Sequence, residues 1–303
     1  MSDPGATMRE RRARLADLGW QDAGSPPGTL SGIAESLGDI WRRRELLGML
    51  TRRELKARYK DSALGFLWSL ARPLTQLLIY YVVVGQFLGA ARSIENFAIY
   101  VFAGLTIYTL FSEIVASGTG SILANAGLVK KVYLPREVFP LATIGSSLFN
   151  FVIQLAILLI ASLLVGTMRL DASLLFAVGS IVLIIIYSAA LALVLSAANV
   201  YLRDIQYLVE VVLLLLMWAS PIVYSLEQVS GVLSGWALQV FINNPITLAV
   251  LGFHMTFWSG SDLGISATDL AIRMVIAGVI GLVLLFLSQR VFAKLQGDFA
   301  QEL

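Results

Sequence analysis

The sequence predicts an all-α membrane protein. It has six transmembrane helices, an amphipathic interface helix before the first, and two short re-entrant helices between the fifth and sixth. Three observations carry this reading. Hydrophobic residues make up 57% of the 303 and charged residues 14%, against roughly 25% charged in a soluble domain, and the mean hydropathy is +0.79. Apolar stretches recur that reach the ~20 residues a bilayer crossing needs. Lys and Arg gather on one side of the resulting scheme. The chain has no cysteine and one histidine, His254. Disulfides, thiolate catalysis, Cys-ligated metals and a histidine metal cluster are therefore excluded.

Residues 1–30 are charged and then rich in Ser, Pro and Gly, as in a mobile cytoplasmic tail. Residues 31–63 form an amphipathic and basic interface segment. Over Ser31–Leu50, the residues Ile33, Leu37, Ile40, Trp41, Leu47 and Leu50 recur at helical spacing in a stretch too short to span. The basic run Arg52, Arg53, Lys56, Arg58 and Lys60 comes next. It abuts a membrane span, which argues against a nucleic-acid partner and places the run in the cytoplasm.

The membrane domain covers residues 64–292. Its spans are expected at Leu64–Leu88, Phe97–Ile122, Phe139–Val165, Leu174–Ala198, Tyr207–Leu226 and Ala271–Phe292. The short links Gly89–Asn96 and Gly166–Ser173 make antiparallel neighbours of the helices they join. Residues 293–303 are read as a cytoplasmic C-terminal tail. With both termini inside, the cytoplasmic segments hold the cations up to Lys60 and then Lys130, Lys131, Arg136, Arg203, Arg290 and Lys294. The outer segments hold Arg92, Arg169 and Arg273. Between spans five and six, Trp236–Ile242 and Pro245–Trp258 are apolar but too short to cross, as expected of helices that dip in from the outer face. His254 is expected there as an interfacial residue.

Nothing in the chain argues for catalysis. The five lysines precede Ala, Asp, Lys, Val and Leu, so no phosphate-binding Gly-Lys-Ser/Thr loop can form. Two connections stand out instead. In Asn125–Pro140, the stretch Leu128–Leu134 reads as a short helix stopped by Pro135, with apolar Leu128, Val129, Val132, Tyr133 and Leu134 beside Lys130 and Lys131. Asn199–Gln206 repeats the mixture with Arg203 and Asp204. Both are readable as docking surfaces for a soluble partner or as turns with snorkelling cations.

Within the spans, Arg72 and Glu113 both fall roughly 12–14 Å from the inner boundary at 1.5 Å per residue. Ionisable groups at that depth pair or face water, so the two are expected to form a buried pair, with Glu210 as the rival partner. Gln76, Tyr80 and Phe87 share a face with Arg72 at helical period, and Tyr100, Tyr108 and Phe111 share one on the second span. Such stripes suit either a conduit or helix packing.

The motifs RRELKARYKDSALGFLWSLARPL, NAGLVKKVYLPREVFP and NVYLRDIQYL resemble, in order and topology, the permease subunit of ABC-2-type polysaccharide exporters, which include the O-antigen and teichoic-acid exporters. The resemblance covers about residues 33–292, and the sequence as a whole is similar to actinobacterial galactan exporter permeases. It implies a conduit of two copies of this chain in the inner or plasma membrane, in contact with lipid. Two separate ATPase subunits would bind ATP and magnesium, with no cofactor in this chain. The cargo would be a lipid-linked polysaccharide, such as a polyprenyl-diphosphate-linked galactan. It further implies that Leu128–Pro135 couples to the ATPase, with Arg203 and Asp204 beside it, and that Trp236, Phe241, Phe253 and Trp258 belong to an outer gate. The rival functions are an ion-coupled secondary carrier, which would also use charges within spans, and a membrane-embedded glycosyl- or acyltransferase, which would need an acid/base cluster.

Overall fold

The computed structural model describes residues 44–59, 67–131, 134–259 and 263–303. Among these, every regular element is helical. The first is α1, Arg44–Tyr59. Then come α2, Leu67–Ile79, and a π-helical continuation, Tyr80–Phe87. The bundle continues with α3, Phe97–Ala124, the single turn α4, Ala126–Val129, and α5, Val138–Val165. After these come α6, Leu174–Tyr201, and α7, Ile205–Trp218. Three short helices are next: α8, Leu226–Ser230, α9, Gly235–Ile242, and α10, Pro245–Phe257. The chain ends with α11, Ala267–Leu295, a 3₁₀ turn and α12, Phe299–Glu302.

Four of these helices, α3, α5, α6 and α11, are long and apolar enough to cross a membrane. Each has 28 or 29 residues, about 42 Å at 1.5 Å per residue. A fifth candidate is the pair α9 and α10, bent by 69° between them. The remaining two apolar helices are shorter, and each has a physical reason. Pro73 sits inside α2, where it removes one backbone donor. Beyond it the ladder widens: the Leu88 N–H reaches five residues back, to Val83 O at 3.0 Å. α7 stops at Trp218, well before the expected Leu226, because Pro221 lies just beyond and a proline also disfavours helix at the residue before it.

α3 is the axis. From Phe97 to Ile122 most residues are buried and none is exposed, packed against α5, α6, α7 and α10. Glycine sets the closest approach: a Cβ on Gly118 would lie 2.5 Å from the Ala192 Cβ on α6. α10 is equally enclosed, with Ile246 through Phe257 all buried, and a Cβ on Gly252 would lie 3.1 Å from Phe176 O and 2.2 Å from Ser180 Oγ. α10 starts where Asn244 Oδ1 accepts from the Ile246 N–H and Pro245 fills the first helical position.

Two expectations are corrected here. The helix before the first span runs on to Tyr59, so the basic run from Arg52 to Arg58 is itself helical; Lys60 and the part of that expected segment before Arg44 lie outside the described residues. The single turn between α3 and α5 falls at Ala126–Val129, earlier than Leu128–Leu134, with Gly127 inside it. Val132 and Tyr133 lie outside the described residues.

Gly118→Ala should lower thermal stability in detergent by about 1–2 kcal/mol. Overpacking costs about 1–3 kcal/mol, and the gain of about 1 kcal/mol in helix propensity offsets only part of it. Gly278→Ala on α11, where nothing lies within 4 Å, should be neutral or stabilising. Equal behaviour of the two variants would mean that α3 and α6 do not touch at Gly118.

Candidate functional site

The functional side chains fall in three layers along the bundle. At one end, α1 lies along α5. Leu46, Leu47 and Leu50 face the bundle, packed into an apolar cluster with Val129, Val138, Phe139 and Phe292, while Arg52, Arg53 and Lys56 are exposed. Thr51 Oγ1 donates to Ala142 O at 3.3 Å, and Ser146 Oγ donates to Glu54 Oε2 at 3.0 Å. Arg53 donates to the side-chain oxygen of Asn125, the residue between α3 and α4. The exposed Lys130, Lys131, Arg203 and Lys294 belong to the same end, which is therefore a basic platform. Asp204, also exposed, stands at the N-terminus of α7. Leu128 and Leu134 are half-buried against the apolar cluster and Val129 is buried in it. Thus Leu128, Val129 and Leu134 of the expected coupling segment are turned inward, and its lysines face out.

Glu137, at the N-cap of α5, is 5% exposed. Burial pushes its carboxyl above the ordinary carboxylate range, opposed by hydrogen bonds from its own backbone and the Gln296 side chain and by the Arg136 charge.

The middle layer is polar. Asn150 Nδ2 on α5 donates to Glu113 Oε2 on α3 at 3.1 Å. Asn150 and Gln154 are both buried, and with Thr143 and Ser147 they make a stripe at helical period along the α5 face that meets α3. This stripe was legible as polar residues in an apolar span but was not among the sequence expectations. The side chain of Arg72, the expected partner of Glu113, lies outside the described residues. Glu210 is exposed on α7.

The expected conduit residues divide. Gln76 and Tyr80 are half-buried on α2 and meet α7: Gln76 Nε2 and the Tyr80 hydroxyl each lie 3.5 Å from Met217 Sδ, and the Tyr80 ring meets Trp218 edge-on. Phe87 is 79% exposed. The stripe breaks because the widened turns after Tyr80 rotate the later side chains off the original face. Tyr100, Tyr108 and Phe111 are buried within the chain. The Tyr108 hydroxyl donates to Leu213 O on α7. For these three the structure shows helix packing.

At the far end, the Tyr100 hydroxyl lies 2.9 Å from Tyr224 O and 3.1 Å from Pro221 O, in the unwound link after α7. The His254 ring stacks on Tyr100 at 3.8 Å, and its Nε2 donates to Tyr100 O at 2.9 Å. His254 is thus a core residue, which corrects the interfacial expectation. It is buried because the whole of α10 is enclosed, a tertiary fact that helix periodicity does not carry. Trp258 is also buried, and its Nε1 donates to Glu95 O at 2.6 Å. Phe253 is fully buried against Phe151 and Phe257. Of the expected gate residues, only Trp236, 80% exposed, and half-buried Phe241 stand at the surface. Arg273 ties α9 to α11: its Nε donates to Asp269 at 2.8 Å, and its Nη1 lies 3.0 Å from both Gln239 Oε1 and Asn243 Oδ1.

A helical bundle with four bilayer-length apolar helices and a basic platform at one end is a polytopic membrane protein. The chain belongs to the ABC-2 type transporter family, whose profile matches residues 45–258. It is similar to the O-antigen export system permease protein RfbA of Myxococcus xanthus, 31% identical over 266 residues, which are 88% of this chain and 98% of that protein. An RfbA of the same description from Klebsiella pneumoniae is 29% identical over 71% of this chain and 81% of its own length. The polysialic acid transport protein KpsM of Escherichia coli is 26% identical over 58% and 69%.

A hydrogen bond to a charged group contributes about 1.5–3 kcal/mol. A double-mutant cycle of Glu113→Gln with Asn150→Ala, read by thermal unfolding in detergent, should show a coupling of that order. The parallel cycle with Arg72→Gln should also be sub-additive. Strict additivity in the first would mean that the α3–α5 contact contributes nothing; in the second, that Arg72 and Glu113 do not interact.

Proposed function

We propose that this chain is the permease subunit of an ATP-driven exporter that moves a polysaccharide across the inner membrane. The observation that carries the reading is the alignment over 98% of an O-antigen export permease. Two copies would form the conduit, and two ATPase subunits carrying ATP and magnesium would bind the basic platform at residues 128–135 and at Arg203 and Asp204. The finer reading of the cargo, a polyprenyl-diphosphate-linked galactan, rests on general likeness of sequence.

The proposed topology has six spans, with both termini in the cytoplasm. Leu67 to Phe87 is helical throughout and about as long as the ~20 residues a crossing needs, enough for the first span. α7 alone covers about 21 Å, and the unwound stretch after it would complete the fifth. Non-helical backbone is tolerated at membrane depth only where protein satisfies it, and the Tyr100 hydroxyl at the Pro221 and Tyr224 carbonyls supports this. α9 and α10 would enter and leave by the outer face. Consistent with that, Trp258 meets Glu95 and the Thr256 hydroxyl donates to Ser173 O, both in links between spans.

The decisive experiment is co-purification. An ATPase subunit should accompany this protein from membranes, and replacing Val132 and Tyr133 by Asp should abolish both association and export while the chain still inserts. A variant with normal association and export would remove this segment from the mechanism, and transport without any ATPase would favour an ion-coupled carrier.

Topology has its own test. A cysteine at Ser93 should react with an impermeant thiol reagent from outside intact cells, and one at Arg203 should not. Both positions are exposed, whereas Asn199 is buried and reports nothing about sidedness. Outside labelling at position 203 would overturn the six-span scheme.

A further inference from the structure

The chain does not trail away after α11. The 3₁₀ turn Gln296–Asp298 swings it under the bundle, and Phe299 enters a socket in which it is fully buried. Phe292 meets the ring edge-on at 5.7 Å and Tyr201 meets it at 6.1 Å. The guanidinium of Arg136 lies over its face at 5.5 Å. Beside the socket, the Tyr201 hydroxyl donates to Leu295 O at 2.8 Å, and the Gln296 side chain bonds the Glu137 carboxylate. The terminal Leu303 packs into the apolar cluster that holds Leu128 and Leu134. Ordering these residues costs conformational entropy. The anchors that offset it fall on the residues just after the coupling segment and on the end of α6.

The segment is thereby held at both ends. Arg53 on α1 grips Asn125 before it, and the tail grips Arg136 and Glu137 after it. A force applied to a loop with a free hinge is absorbed by the hinge; a loop clamped at its far end passes the force to the next helix, here α5. We propose that residues 296–303 are a strap, with Phe299 as its key positioning residue, that fixes residues 134–137 so that motion of the coupling segment reaches α5. This rests on the reading of residues 128–135 as the ATPase contact.

The test uses the full chain in inside-out vesicles with its ATPase subunit. The protein has no cysteine, so Leu134→Cys gives a single reporter for an impermeant maleimide. In the Phe299→Ala background its labelling rate should rise by about tenfold, because losing a buried Phe raises the population of locally open states. A cysteine at Ser93, at the far end and labelled from outside in intact cells, should react at the same rate in both backgrounds. Export per ATP hydrolysed should fall several-fold in Phe299→Ala. A merely misfolded fraction would lower export and hydrolysis together and leave that ratio unchanged. Arg136→Gln, which removes the cation over the ring and the charge beside Glu137 but keeps Phe299, should move both readouts in the same direction by less, and it carries the test if Phe299→Ala fails to insert. Unchanged labelling, or faster labelling with an unchanged ratio, overturns the proposal. The labelling arm needs no ATPase. A failed docking surface would show instead as normal association in the Val132 and Tyr133 variant.

Discussion

The structure depends on the enclosure of α3. In a bilayer the lipid tails are as apolar as the helix faces, so no hydrophobic force drives one helix against another; close packing and hydrogen bonds must hold them. α3 meets that demand with small residues at its crossings. Gly118 lets α6 approach to the limit set by Ala192. At Gly104 a Cβ would meet the Ile222 backbone at 3.3 Å and His254 Nε2 at 3.4 Å. Its polar groups point at neighbours: Tyr100 and Tyr108 reach the carbonyls of the unwound link and of α7, and Asn199 on α6 donates to Thr119 O at 3.1 Å. Each of these bonds is made across a helix boundary, where it fixes register as well as distance.

The same constraint explains how an irregular chain persists around the far end. In the proposed topology, a link such as residues 219–225 would leave carbonyls without donors inside hydrocarbon. The Tyr100 hydroxyl supplies one, and the stacked His254 holds the ring that carries it. Trp258 and Thr167 close the circuit by donating to Glu95 O and Phe257 O. The apolar side chains of α10 are thus packed against α3 and α6, while its C-terminus is fastened to the links at Glu95, Thr167 and Ser173. A helix of 13 residues, too short to cross a bilayer by itself, is stable there because three neighbours supply what lipid cannot.

The long helices were legible because length and apolarity alone specify them, and α3, α5, α6 and α11 fall within a few residues of the expected bounds. The end of α7 was legible too, in Pro221, but the apolar run on either side of it masked the break. The widened turns after Tyr80 had only Pro73 and Gly85 to announce them, and they decide that Phe87 leaves the face of Gln76. Which aromatics are interior was not legible. Phe111 and Phe87 look alike in a hydropathy pattern; one is buried and the other exposed because of what packs beside them. The Glu113–Asn150 contact was half legible, since both are polar residues in apolar spans, but nothing in either helix alone says that they meet. Phe299 is a single aromatic in a polar stretch, a signal too weak to separate from a tail.

Packing also divides the protein into parts that can and cannot yield. α3, α6 and α10 meet through contacts with no spare space, and a close-packed interface transmits displacement rather than absorbing it. α2 and α7 are held differently. α7 touches the bundle along Val209, Leu213 and Met217 and exposes Leu208, Val211, Leu214, Leu215 and Trp218. Its bond to α2 runs through the thioether of Met217, at 3.5 Å from both Gln76 and Tyr80. A flexible side chain with a weak acceptor re-forms such contacts at little cost as helices shift. If the basic platform receives a stroke from an ATPase, α3 and its partners would carry it as a unit, and the space that opens would open along α2 and α7. In the proposed function, Gln76 and Tyr80, with Trp218 beside them, would offer amide, hydroxyl and aromatic faces to a sugar chain at this softer boundary between α2 and α7.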